Sequence, residues 1–258
     1  MADADAAFIY RNLGNPLLPQ HPYRMQISGP SGSGKTYFLV DQYLLRPEHD
    51  QPFDSIIVFC APLSIGQPKY HRLRTELTRR ICPRDRLLSP PEPGEEDARS
   101  KIDVTLYPGL PSEDDILKIM DQLKRNQAEE KQTLIVVDDL MHQIGAEFVK
   151  NMYVAGVHHL GVSIITIMQS IFTKQSRQSR LQCDYIVLFS FPADQTTAAM
   201  LFRQLEPKKR RWEELLDAYE AITSRPHGWL LIDFRSHQIQ KPEWRYRTAF
   251  DTALILEN

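Results

Sequence analysis

The stretch ISGPSGSGKTYFLV, residues 27–40, narrows the possible folds more than any other part of this 258-residue chain. A short apolar segment runs into a loop with three glycines, then Lys35, Thr36 and a second apolar run. Gly29, Pro30, Ser31, Gly32, Ser33, Gly34, Lys35 and Thr36 fit the pattern G-x-x-x-x-G-K-[ST], with a strand pattern before and a helix pattern after. Glycines let backbone N–H groups turn inward and approach a polyphosphate with no Cβ in the way. A helix beginning near Gly34 adds the positive end of its dipole. Lys35 is then expected to reach the β- and γ-phosphates, and the Thr36 hydroxyl to ligate Mg²⁺. The bland reading of the segment is a glycine-rich turn with a solvent-exposed lysine. We read it as a nucleotide site.

The rest of the chain alternates between two periods. Near-continuous apolar runs predict strands at 23–28, 55–60, 133–139, 162–169, 184–190 and 229–234, as expected of parallel strands covered on both faces. Helical patterns lie at 34–45, 69–80, 112–127, 144–157, 194–205 and 211–222. The helix at 112 opens with Ser112 and, three residues on, Asp115, an aspartate variant of the capping box. The alternation predicts an α/β fold with a doubly wound, mostly parallel sheet and helices on both faces. DVTLY, 103–107, reads as an edge strand. PRDRLLSPPEPGEEDARSK, 83–101, is rich in proline and charge and has no period, which marks an exposed loop or insertion within one domain spanning 1–258.

Two further segments carry chemistry. TLIVVDDLM ends a buried strand on two carboxylates, which is costly unless they face a cation or activate water. Asp138 is expected in the Mg²⁺ shell, and Asp139 as general base or orienter of the attacking water; the alternative is a pair of acids capping the next helix. Gln169 ends the following strand, and ligands of open α/β sheets bind at the carboxyl ends of strands, so it would sit beside the γ-phosphate. Otherwise it is an ordinary polar residue at a strand end. Arg177, Arg180 and Arg203 are candidates for an arginine supplied across a subunit boundary, as hydrolysis at such boundaries usually uses one from a neighbour; each taken alone can equally be plain surface.

Composition restricts the partners. A net charge of −2 excludes a wholly basic nucleic-acid coat, so DNA contact has to come from local patches or from an assembly that concentrates them. Two basic clusters qualify, KKRR at 208–211 and Arg72, Arg74, Arg79 and Arg80, although charge runs of this kind also serve as solvated faces. The cysteines, Cys60, Cys82 and Cys183, lack metal spacing and read as reduced thiols. No apolar run approaches the roughly 18 residues of a membrane span. These features lead us to expect an intracellular, soluble protein.

The order of these parts resembles the additional-strand class of P-loop NTPases. Here a full extra strand (55–60) separates the phosphate loop from the two-acid strand, and a polar-ended strand follows. Within that class the chain is similar to the FtsK–HerA superfamily, and there to the genome-packaging ATPases of poxviruses, other large eukaryotic DNA viruses and Polinton/Maverick-type elements. The resemblance runs from HPYRMQISGPSGSGKT to WRYRTAF through LIVVDDLM, HHLGVSIITIMQSIF, DYIVLFSFPADQ, FRQLEP and HGWLLIDF. Its arginine eight residues before the fifth-strand tyrosine, here Tyr185, is Arg177; the arginine of FRQLEP is Arg203. Ser170 stands where the family has Asn, and Ala193 where it has Arg. The resemblance implies an ATP- and Mg²⁺-dependent homomeric ring, a pentamer or hexamer, that moves double-stranded DNA into a preformed capsid, with a capsid or portal vertex protein as partner. It also implies a location in host cytoplasm or nucleus, or association with a virion. The same parts would serve a helicase or another DNA translocase. A nucleotide or small-molecule kinase and a non-catalytic ATP-binding scaffold are the remaining readings.

Overall fold

The apolar runs seen in the sequence are too short for buried helices and long enough for strands covered on both sides. The structure, a computed structural model, describes residues 17–46, 53–80, 101–140, 143, 146–172, 177–235, 242–250 and 252–254. Its strands are β1 (Arg24–Ser28), β2 (Ser55–Cys60), β3 (Asp103–Pro108), β4 (Thr133–Asp138), β5 (Val162–Met168), β6 (Tyr185–Phe189), β7 (Trp229–Asp233), β8 (Tyr246–Ala249) and β9 (Thr252–Leu254). They join one sheet in the order β3-β2-β4-β5-β1-β6-β7-β8-β9. The first six strands pair in parallel. From β6 onward the pairing is antiparallel.

Both faces of the sheet are buried, and β4 shows how. Leu134 and Val136 enter one core, while Ile135 and Val137 enter the other. Burying each such aliphatic side chain contributes about 1.5–3 kcal/mol. Over the first face lie α1 (Lys35–Tyr37), which runs on as a π-helical segment (Phe38–Leu44), and α3 (Pro68–Leu77), preceded by the short α2 (Pro62–Ile65). The second face is covered by α4 (Glu113–Ala128), by α5 (Glu147–Asn151) with its π-helical continuation (Met152–Gly156) and α6 (Val157–His159), and by α8 (Gln195–Leu205) and α9 (Lys209–Thr223). α7 (Arg177–Leu181) lies between β5 and β6 in the chain. The Ser112 cap is present: its Oγ accepts from the Asp115 N–H at 3.3 Å and donates to the Asp115 carboxylate at 2.7 Å.

The fold expected from the sequence is the one observed, with three adjustments. The strand that lies between the phosphate-loop strand and the acid strand in the sheet is β5, not the 55–60 strand, which separates them only along the chain. The antiparallel strands β8 and β9 and the short α7 have no counterpart in the sequence reading. The helix expected at 144–157 begins at Glu147 and continues through a π-helical turn to His159. The insertion expected at 83–101 lies outside the described residues, apart from Lys101. Among the described residues, no helix is long and apolar enough to cross a membrane.

Candidate active site

Parallel pairing aligns the carboxyl ends of β4, β5 and β1 at one edge of the sheet, because Asp138 pairs with Ile167 and Met168 with Ser28. Everything the sequence singled out after a strand therefore meets there. The loop from Gly29 to Gly34 leaves β1 and is anchored at once to the next strand, since the Gly29 N–H donates to the Met168 carbonyl at 3.2 Å. Three positions in it require glycine, Gly32 through its φ of 78°. Gly34 has φ 103°, in the left-handed region, and forms the N-cap of α1. A Cβ on Gly29 would stand 2.6 Å from Cβ of Phe189 and 2.8 Å from Oγ of Ser33. The Lys35 Nζ folds back and donates to the carbonyls of Gly29 and Pro30, each at 2.7 Å. Burial holds its pKa below the usual lysine value, and the charges of Asp138 and Asp139 oppose that shift. A lysine that rests on two backbone oxygens has its ammonium directed into the loop, where an anion would replace them.

The tandem acids separate as a strand end dictates. Asp138, the last residue of β4, is buried at 4% exposure, while Asp139 is exposed at φ 55°. The Thr36 hydroxyl donates to Oδ2 of Asp138 at 3.3 Å, and the Tyr70 hydroxyl of α3 donates to the same oxygen. Burial pushes the Asp138 carboxyl up, the Tyr70 hydrogen bond pulls it down, and Asp139 pushes it up again. The balance is a raised pKa, which marks a carboxylate with too little compensation for its burial. A neighbouring thiol shares that environment: Cys60 pairs in register with Asp138, and burial together with its charge pushes the thiol up to about 11. Cys60 and Cys183 are both buried thiols outside any disulfide. The Gln169 amide donates to Oδ1 of Asp139 at 2.9 Å, linking the ends of β5 and β4.

A divalent cation has a place here that suits its chemistry. The described residues hold no group of three His, Cys, Asp or Glu able to chelate a metal. Thr36 and Asp138 do present a hydroxyl and an under-compensated carboxylate to one point. Mg²⁺ is held in this way, by one or two protein oxygens with phosphates and water supplying the rest.

The arginine candidates fall in different settings. Arg177, at the start of α7, is exposed. Arg180 lies with its guanidinium 4.4 Å from the centre of the Phe172 ring, and burial and the charge of Arg177 lower its pKa. Arg203 is stacked on Trp212 of α9 at 4.3 Å, an intramolecular cation–π contact. The basic clusters are largely paired within the chain. Lys209 meets Glu213 at 3.7 Å, Arg210 meets Glu214 at 2.7 Å and Arg211 meets Glu206 at 3.3 Å. Arg72 pairs with Asp41 and with Glu76, and Arg80 donates to the carbonyls of Leu44 and Leu45. Arg74 and Arg79 are exposed. Tyr70, which holds the buried acid, escaped the sequence reading. It reaches Asp138 from a helix 68 residues earlier in the chain, and no local pattern reports such a contact.

No protein-family model and no curated protein sequence matches the chain. Solved structures do. The genome packaging NTPase B204 from Sulfolobus turreted icosahedral virus 2, in complex with AMP, superposes with a TM-score of 0.52 at 15% identity, over 83% of this chain and 94% of that one. B204, the DNA-packaging ATPase from Sulfolobus turreted icosahedral virus, gives a TM-score of 0.51 at 13% identity, over 84% of this chain and 95% of that one. In agreement with the resemblance its motifs carry, the chain has the α/β P-loop fold of these viral packaging NTPases.

Proposed function

We propose that the protein is an ATP-hydrolysing motor that assembles as a ring and drives double-stranded DNA into a preformed capsid. One observation carries the hydrolytic part. Lys35, the Thr36 hydroxyl and the Asp138 carboxylate converge at the carboxyl edge of β1 and β4, with the Thr36 and Asp138 oxygens 3.3 Å apart. The sheet order, with β5 between the loop strand and the acid strand, and the fold shared with packaging NTPases support the motor reading.

The residues divide the work as follows. Backbone N–H groups from Gly29 to Thr36 cradle the phosphates, and Lys35 exchanges its two carbonyl partners for the β- and γ-phosphate oxygens. Thr36 and Asp138 would hold Mg²⁺, which supplies neutralisation of the charge that builds on the phosphate oxygens. Asp139 takes a proton from the attacking water, whose oxygen bonds to the γ-phosphorus as the bond to the β-bridging oxygen breaks. Gln169, hydrogen-bonded to Asp139, reports whether the γ-phosphate is present. Arg177, exposed and without the aromatic seat that holds Arg203, acts on the site of a neighbouring subunit. The remaining partner surfaces, double-stranded DNA in the ring channel and a capsid or portal vertex protein, belong to the pentameric or hexameric assembly. Contact with the DNA backbone needs little sequence reading.

The test is steady-state ATP hydrolysis with and without long duplex DNA at two salt concentrations, for the wild type and Arg177→Ala. The expected result is stimulation by DNA that weakens as salt rises, and a loss on the order of 10³-fold or more in the variant, with ATP binding kept. Hydrolysis indifferent to DNA, or phosphate passed to an added small-molecule acceptor, would overturn the reading in favour of a scaffold or kinase.

A further inference from the structure

We propose that Tyr37 and His227 form the seat of the nucleobase, an aromatic platform at the exit of the phosphate loop that selects purine nucleotides. The inference rests on the reading of that loop as a nucleoside triphosphate site and adds what recognises the base. In a loop of this kind the backbone cradles the α- and β-phosphates while the lysine reaches the β- and γ-phosphates. The phosphate chain therefore runs with its α end towards the residue that follows Thr36. Ribose and base must leave the loop beside Tyr37.

An aromatic surface is waiting there. Tyr37 is 37% exposed, unusual for a tyrosine in the first turn of a helix that is otherwise heading into the core. Its ring lies against the imidazole of His227, with centroids 5.0 Å apart and planes inclined at 40°. His227 arrives from the far side of the sheet, on the turn that joins α9 to β7. It reaches so close to the loop that a Cβ on Gly34 would stand 2.5 Å from its Nδ1. The turn holds His227 at φ 58°, in the left-handed region that side chains rarely adopt. The next residue fixes that turn, since a Cβ on Gly228 would stand 2.1 Å from the Ile222 carbonyl oxygen.

Neither ring serves the hydrophobic core, because both are exposed. A strained backbone that delivers an exposed ring to the rim of a phosphate loop is a feature of a binding site. Recognition through ring faces selects on stacking area, which favours a purine over a pyrimidine and leaves the phosphates to the loop.

The test is calorimetric binding of ATP, CTP and inorganic tripolyphosphate, each with Mg²⁺, to the full chain and to Tyr37→Leu, His227→Ala and His227→Phe. The wild type is expected to bind ATP more tightly than CTP and tripolyphosphate. His227→Ala and Tyr37→Leu are each expected to weaken ATP binding about tenfold, the scale of one base–aromatic stack. Tripolyphosphate affinity stays at the wild-type value, which also reports that the loop is folded, and His227→Phe retains ATP binding. Equal losses for ATP and tripolyphosphate would overturn the inference, because His227 would then be shaping the loop. Unchanged ATP affinity in both truncations would overturn it too. A wild type that binds tripolyphosphate as well as ATP removes the base seat and leaves the loop reading intact. A wild type that binds neither removes both.

Discussion

At the carboxyl ends of β1 and β4, and again in the antiparallel pair β7 and β8, charged side chains leave water, but they find different partners. In β8, Arg247 is 1% exposed; it donates to the Asp233 carboxylate, to the Leu17 carbonyl and, at 2.9 Å, to the Trp244 carbonyl. Nearby, the buried Glu206 accepts from Arg245 at 3.0 Å and from the Tyr246 hydroxyl at 2.7 Å. These charges are satisfied by opposite charges of the same chain. At the phosphate loop Lys35 has only two backbone carbonyls, and the buried Asp138 has two hydroxyls and a raised pKa. Burial of charge is common to both regions. What separates a structural charge from one held for a ligand is whether the fold completes its compensation.

Four substitutions test that contrast, and the largest effect belongs to the completed network. Arg247→Ala removes the guanidinium from the buried Asp233 carboxylate and is expected to cost about 3–5 kcal/mol in chemical denaturation, with ATP turnover per folded molecule unchanged. Lys35→Ala should behave in the opposite sense: turnover falls by about 10²–10³-fold while the thermal midpoint stays near the wild-type value. If Lys35→Ala unfolds the protein, or Arg247→Ala abolishes turnover in molecules that remain folded, the division fails.

Tyr70→Phe removes one of the two hydroxyls on Asp138. Its expected cost is about 1.5–3 kcal/mol, the range for a hydrogen bond to a charged group, read by thermal denaturation without nucleotide. The smallest effect is on pH dependence. The Asp138 carboxyl has its folded pKa raised above the unfolded value, so its contribution to stability is present below the unfolded pKa and lost as pH rises through the folded one. The nucleotide-free Asp138→Asn protein should therefore melt a few degrees above the wild type at around pH 8, with the gap closing on acidification into the carboxylate range. A gap that widens on acidification would contradict the assignment of Asp138 as the uncompensated charge.

The same contrast explains what the sequence could reveal. The phosphate loop, the acids ending β4 and Gln169 ending β5 are legible because each sits on a local pattern: a glycine spacing, or a polar residue that closes an apolar run. β8 and β9 are hidden for the opposite reason. β8 has four residues and β9 three, and Arg247 breaks the apolar pattern of β8 because its partner, Asp233, lies on another strand. The sheet position of β5 and the contacts of Tyr70 and His227 are pairings between distant segments, which leave no periodic signature. The KKRR run reads as a basic patch in sequence, yet α9 and the end of α8 bring glutamates to three of its four side chains.

The most direct test of the motor itself is ATP-driven displacement of a third-strand oligonucleotide from a linear duplex by the assembled protein. The account expects displacement that requires ATP hydrolysis, proceeds on blunt duplex and leaves the two duplex strands paired. Turnover of ATP with the third strand left in place, or separation of a forked duplex into single strands, would contradict it.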